Sequence, residues 1–121
     1  MIVVKLKEYE IQRLITKALL KMPDVAFYTT NTSGKAIYQK RWVTIGKWFN
    51  GDKENNDGLS DITGMKIDGT YFAIEVKVPG KKPTKDQLRF INFILDHDGL
   101  AGYATNVQEA EEIVRGFQIR I

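Results

Sequence analysis

Residues 60–78 read Ser60-Asp61-Ile62-Thr63-Gly64-Met65-Lys66-Ile67-Asp68-Gly69-Thr70-Tyr71-Phe72-Ala73-Ile74-Glu75-Val76-Lys77-Val78. Two strand-like runs, Ser60 to Met65 and Tyr71 to Val78, flank Asp68-Gly69, a dipeptide that favours a tight hairpin turn. The spacing therefore predicts two antiparallel neighbours. Side chains alternate along a strand, so Glu75 and Lys77 share one face while Phe72, Ile74, Val76 and Val78 share the other. An acid and a base on a hydrophobic strand are costly unless something pairs with them. The turn brings Asp61 beside Glu75, so two acids and an amine are expected to converge on one face.

The elements around this hairpin indicate the fold class. Upstream, residues from about Leu6 to Met22 read as a helix whose apolar stripe is Ile11, Leu14, Ile15, Ala18, Leu19 and Met22, ended by Pro23. Val25 to Thr30 is strand-like in composition. Lys35 to Phe49 alternates basic and bulky residues, as a strand or hairpin carrying Tyr38, Trp42 and Trp48. Asn50 to Gly58 is a polar loop. Downstream, Thr84 and Gln87 form a capping box. The helix they open should bury Leu88, Ile91, Ile94 and Leu95 and end near Gly99. Leu100 to Ala104 reads as a strand, and Asn106 with Glu109 caps a last helix through Val114. The order predicts an α/β domain, a central mixed β-sheet flanked by helices, spanning residues 1–121. A right-handed crossover makes the 100–104 strand parallel to the 71–78 strand.

Bulk properties exclude several classes. The 121 residues are 43% hydrophobic and 27% charged, as in a globular chain. No apolar run approaches the ~20 residues of a membrane helix, so no membrane partner is expected. Met1-Ile2-Val3-Val4-Lys5 lacks a signal-peptide layout. Without cysteine there are no disulfides, thiolate metal sites or cysteine nucleophiles, which fits a reducing cytoplasm. A net charge of +3 permits nucleic-acid binding but does not argue for it alone. Gly-Lys-Ser/Thr phosphate loops and dinucleotide glycine patterns are missing from the sequence, which leaves NTPase and redox roles unsupported.

The candidate site is acidic. On a helical wheel Glu8 falls on the face of Ile11 and Ile15, whereas Glu10 points away. Glu8 is therefore expected to tip into the cleft of Asp61 and Glu75. Two carboxylates ~4 Å apart repel by about 4 kcal/mol at an effective dielectric near 20. Such a site must raise a carboxylate pKa or bind a cation. Oxygen ligands without Cys or His favour Mg²⁺ or Mn²⁺ over zinc. That metal, with Lys77 beside it, suits hydrolysis of a phosphodiester.

Gly58-x-Ser60-Asp61, then Glu75-x-Lys77 on a hydrophobic strand, then Gln87-x-x-Phe90 in a helix resembles the PD-(D/E)XK nuclease superfamily, and within it the small VRR-NUC branch. The resemblance covers almost the whole chain, from Glu8-x-x-Ile11-Gln12 through Asn31-x-x-Gly34 to the helix after Asn106. It implies a restriction-endonuclease-like core. It makes Asp61, Glu75 and the Val76 carbonyl metal ligands, Lys77 the catalytic lysine and Glu8 a helix-borne acid, with Gln87 bordering the site. Ser60 stands where the superfamily has proline, a backbone-shaping position without chemistry. The implied activity is a Mg²⁺/Mn²⁺-dependent endonuclease on branched DNA, such as Holliday junctions or flaps, in replication or repair. The implied assembly is a homodimer, whose two-fold symmetry matches that of a four-way junction. A bacterial or phage-infected host cytoplasm is the expected location.

Other readings stand beside these. Glu75 and Lys77 also suit an ion pair on a solvated face, Glu8 a first-turn acid favoured by the helix dipole, and Gln87 a cap alone. Lys81, Lys82, Lys85 and Arg89 follow the Glu75 strand, and Lys47 belongs to an earlier group with Lys35, Lys40 and Arg41. Both groups suit phosphate tracking with aromatic support, and the earlier one equally suits a solvated edge. The alternative functions are a non-catalytic nucleic-acid-binding module on the same scaffold, or an interaction protein with a charged strand at its contact.

Overall fold

A computed structural model of the chain describes residues 5–32, 34–51 and 56–117, with backbone only for 34–38 and 41–45. In chain order the elements are α1 (Glu8–Leu19), β1 (Val25–Thr30), β2 (Gly34–Tyr38), β3 (Arg41–Ile45), β4 (Ile62–Lys66), β5 (Tyr71–Val76), α2 (Lys85–Asp96), β6 (Leu100–Ala104) and α3 (Val107–Arg115). The main sheet has the order β1-β4-β5-β6, and β2 with β3 forms a separate two-stranded sheet. β4 runs antiparallel to both β1 and β5, and β6 runs parallel to β5. The architecture is α/β with a mixed four-stranded sheet flanked by helices.

The β4–β5 hairpin is closed by its expected turn. Gly69 adopts φ +90°, which side chains disfavour. Its N–H donates to the Lys66 carbonyl at 2.9 Å, and the Asp68 carboxylate accepts from the Thr70 N–H at 2.9 Å. The register pairs Ile62 with Ile74 and Thr63 with Ala73. β4 begins at Ile62, so Asp61 lies in a bend just before the strand rather than inside it.

Helices cover both faces of β5. On one face Ile11, Ile15, Leu19 and Met22 from the α1 region and Ala110, Ile113 and Val114 of α3 pack on Ile62, Phe72, Ile74 and Val76. On the other, Phe90 and Ile91 of α2 pack with Trp48 on Ala73 and Ala101. The alternation of β5 is as expected, but the face of Glu75 is roofed instead of solvated.

Helix boundaries and rotations differ in detail from the sequence reading. α1 starts at Glu8, not Leu6. Leu14 is exposed, because Ile11, Ile15 and Leu19 centre the stripe and Leu14 falls about 100° off that centre. α2 buries Phe90 and Ile91, while Leu88, Ile94 and Leu95 are half-buried. Its rotation follows from Gln87, which shares a face with 90, 91 and 94 and turns toward the sheet. The 35–49 segment is a hairpin as expected, but Trp48 is buried, its ring 5.0 Å from Phe90 and 5.1 Å from Phe93. It packs the core and offers no stacking surface to a base. The side chains of Lys35, Tyr38, Arg41 and Trp42, and part of the polar loop at 52–55, lie outside the described residues.

Candidate metal centre

The site lies at one end of the main sheet, where α1, the loop before β4, the end of β5 and the start of α2 meet. Extending the hairpin register by one pair from Ile62 and Ile74 sets Asp61 opposite Glu75. One carboxylate oxygen from each of Glu8, Asp61 and Glu75 lies within 4.8 Å of the others. The convergence expected from the turn and from the α1 wheel is therefore present. Glu8 is the first residue of α1 and is exposed. Glu10 instead accepts the Lys7 N–H at 3.0 Å and caps the helix.

Each acid is held differently. Asp61 Oδ2 accepts the Val76 N–H at 2.8 Å. The Asp61 carbonyl accepts the Asn31 N–H at 2.7 Å. Glu75 is only 2% exposed, so an ion pair on a solvated face is excluded. Its Oε1 accepts from Gln87 Nε2 at 2.9 Å, whereas Oε2 is buried with no protein group donating to it, and the carboxyl's other neighbour is the Asp61 carboxylate. Burial first, then the adjacent Asp61 carboxylate and its hydrogen bond, push the Glu75 carboxyl from 4.5 up to about 9. The Lys77 ammonium works against this shift and Glu8 adds to it.

Gln87 performs two tasks with one amide. Its Oε1 accepts the Thr84 N–H at 2.8 Å and its N–H donates to Thr84 Oγ1 at 3.2 Å, closing the capping box. Its Nε2 is thereby turned toward Glu75. Gln87 thus closes the cap and contacts Glu75 with one side chain. Gly58 sits against the same helix start. A Cβ there would lie 2.3 Å from the Asp86 carbonyl and 2.6 Å from the Gln87 nitrogen, and its φ is +92°. Only glycine fits this close approach.

The remaining expected residues are near but less committed. Lys77 is half-buried, and its N–H donates to the Ala104 carbonyl at 3.0 Å. Val76 closes β5 with its side chain in the α1–α3 core. Lys81, Lys82 and Lys85 are exposed around the start of α2. Arg89 and Lys47 have structural partners: Arg89 Nη2 donates to Asn56 Oδ1 at 2.9 Å, and Lys47 Nζ lies 2.8 Å from Asp57 Oδ1. Trp48 Nε1 also donates to the Asp57 carbonyl at 2.9 Å. These contacts anchor the segment that leads into Asp61, and no local sequence pattern signals them. His97 caps the far end of α2, its Nδ1 2.8 Å from the Phe93 carbonyl.

The donor set suits a hard divalent cation. It contains oxygen only and holds like charges close together. It also includes a buried carboxylate oxygen, Glu75 Oε2, to which no group of the protein donates. A cation among these groups would favour the ionised Glu75 that burial otherwise opposes. No helix among the described residues is long and apolar enough to cross a membrane. Comparison with protein-family models, with curated proteins and with solved structures returns no match.

Proposed function

We propose that the chain is a Mg²⁺- or Mn²⁺-dependent endodeoxyribonuclease with a restriction-endonuclease-like core of the PD-(D/E)XK type, of the VRR-NUC kind. The observation that carries this reading is the convergence of Glu8, Asp61 and the buried Glu75 on one point, with no protein group donating to Glu75 Oε2. Asp61, Glu75 and Glu8 would hold the metal, joined by the carbonyl of Val76. When bound, the metal would supply Lewis-acid polarisation of a phosphate oxygen and acidify a water.

The chain's own groups supply the rest. Val76 N–H and Gln87 Nε2 fix one oxygen each of Asp61 and Glu75, so the acids enter the reaction already oriented. Lys77 lies on the face of Glu75, close enough to lower its pKa, and there stabilises negative charge building on the phosphate. Lys81, Lys82 and Lys85 offer exposed cations to the flanking backbone. Branched DNA is the proposed substrate and a homodimer the proposed form.

The test is incubation of labelled four-way junction, flap, duplex and single-stranded DNA with and without Mn²⁺. Cleavage should require the metal and stop with chelator, and Asp61→Asn or Lys77→Ala should remove turnover in a folded protein. Cleavage by either variant at the wild-type rate refutes the assignment. Salt-sensitive junction binding without any cleavage would favour a binding module instead.

A further inference from the structure

Asp61 sits in a bend before β4, outside the ladder that fixes Ile62 to Met65 against β5. One residue just past the end of the neighbouring strand grips the backbone on both sides of it. Asn31 follows directly after β1, and its N–H donates to the Asp61 carbonyl at 2.7 Å. Its side-chain Nδ2 donates to the Ser60 carbonyl at 3.0 Å and to Thr63 Oγ1 at 3.1 Å. Residues 60, 61 and 63 are thus all held by Asn31. Thr63 Oγ1 is in turn 2.9 Å from Thr29 Oγ1, which keeps that hydroxyl in place.

We infer that Asn31 is a positioning residue for the metal centre, acting through Asp61; this rests on the metal-binding part of the reading above. The Asn31 amide nitrogen carries two N–H donors, enough for the Ser60 carbonyl and the Thr63 hydroxyl at once, and brings no charge to the site. With the backbone pinned by Asn31 and Oδ2 held by Val76 N–H, Asp61 has its main chain and its carboxylate fixed independently. Loss of such outer partners typically weakens metal binding 10–100-fold.

The experiment is calorimetric titration of the full chain with MnCl₂, alongside metal-free melting curves. Asn31→Leu should weaken Mn²⁺ binding by roughly tenfold or more. Thr63→Val, which removes one acceptor, should weaken it by a few-fold, and Thr63→Ser, which keeps the hydroxyl, should restore it. Ile113→Val, in the core on the opposite face, should lower the melting temperature and leave Mn²⁺ affinity unchanged. A folded Asn31→Leu that binds Mn²⁺ like wild type overturns the inference. If Asn31→Leu does not fold, equal affinities for Thr63→Val and Thr63→Ser overturn it. Wild type that takes up no Mn²⁺ overturns it together with the nuclease reading. Wild type that binds Mn²⁺ but cuts no DNA refutes the nuclease reading alone, and the variants still decide the role of Asn31.

Discussion

Glu75→Gln should make the metal-free protein more stable at neutral pH, by an amount that grows with pH. The folded-state pKa of Glu75 is raised to about 9 from an ordinary 4.5. The native state therefore keeps a proton that the unfolded chain has already released. For a raised pKa, the native state's stability is full below 4.5 and declines until pH passes about 9. The slope is about 1.4 kcal/mol per pH unit, so the native state forgoes about 3 kcal/mol between its ordinary pKa and pH 7. Glutamine keeps the shape, still accepts from Gln87 and does not ionise. The difference in stability between variant and wild type should be near zero at pH 4.5 and approach about 3 kcal/mol at pH 7, a shift of roughly 10 °C in melting temperature. Urea or thermal denaturation in chelator from pH 4.5 to 8 measures it. Added Mn²⁺ should stabilise wild type and have less effect on the variant. A variant-to-wild-type difference that stays flat across this range would mean that Glu75 is not held protonated and the burial argument is wrong.

Gly58→Ala should cost about 2 kcal/mol or more and blunt activity, since its Cβ meets backbone at the start of α2 and its φ is positive; a melting curve and a cleavage assay on the soluble variant check it. Ser60→Ala should raise stability by up to about 1 kcal/mol, because Ser60 Oγ is buried without a partner in the protein; a lowered melting temperature would contradict this. Replacing Lys81, Lys82 and Lys85 together by alanine should weaken DNA binding and flatten its salt dependence by up to about three in log–log slope. Fluorescence anisotropy at several salt concentrations reads both, and an unchanged slope would remove these lysines from the interface.

Local chemistry made parts of this molecule legible before its structure. The Asp68-Gly69 turn set the β4–β5 register and so the meeting of Asp61 with Glu75. The α1 wheel separated Glu8 from Glu10. The Thr84–Gln87 box was legible from spacing, whereas the placement of Gln87 beside Glu75 was an expectation from resemblance alone. The Asn106 cap was found too, but Glu109 turns its carboxylate to Thr105 rather than to the Asn106 N–H. What stayed hidden depends on contacts distant in sequence. Trp48 looked like a surface aromatic beside basic residues, yet α2 buries it. Arg89 and Lys47 looked like free cations, yet Asn56 and Asp57 hold them. On α2, Ile91 is buried as its spacing indicates, whereas Phe90 takes the place on the sheet that the apolar Leu88 and Leu95 suggest.

The two ends of the described chain stand in different relation to the cleft. Glu8 opens α1 at the site itself. Gly116, beyond α3, lies beside Leu100 at the start of β6, at the opposite end of the sheet, where a Cβ would come 3.5 Å from the Leu100 side chain. A purification tag or reporter joined upstream of residue 5 would crowd the acids, and a polyhistidine tag would compete with them for divalent ions. The same cargo attached downstream would leave the cleft clear.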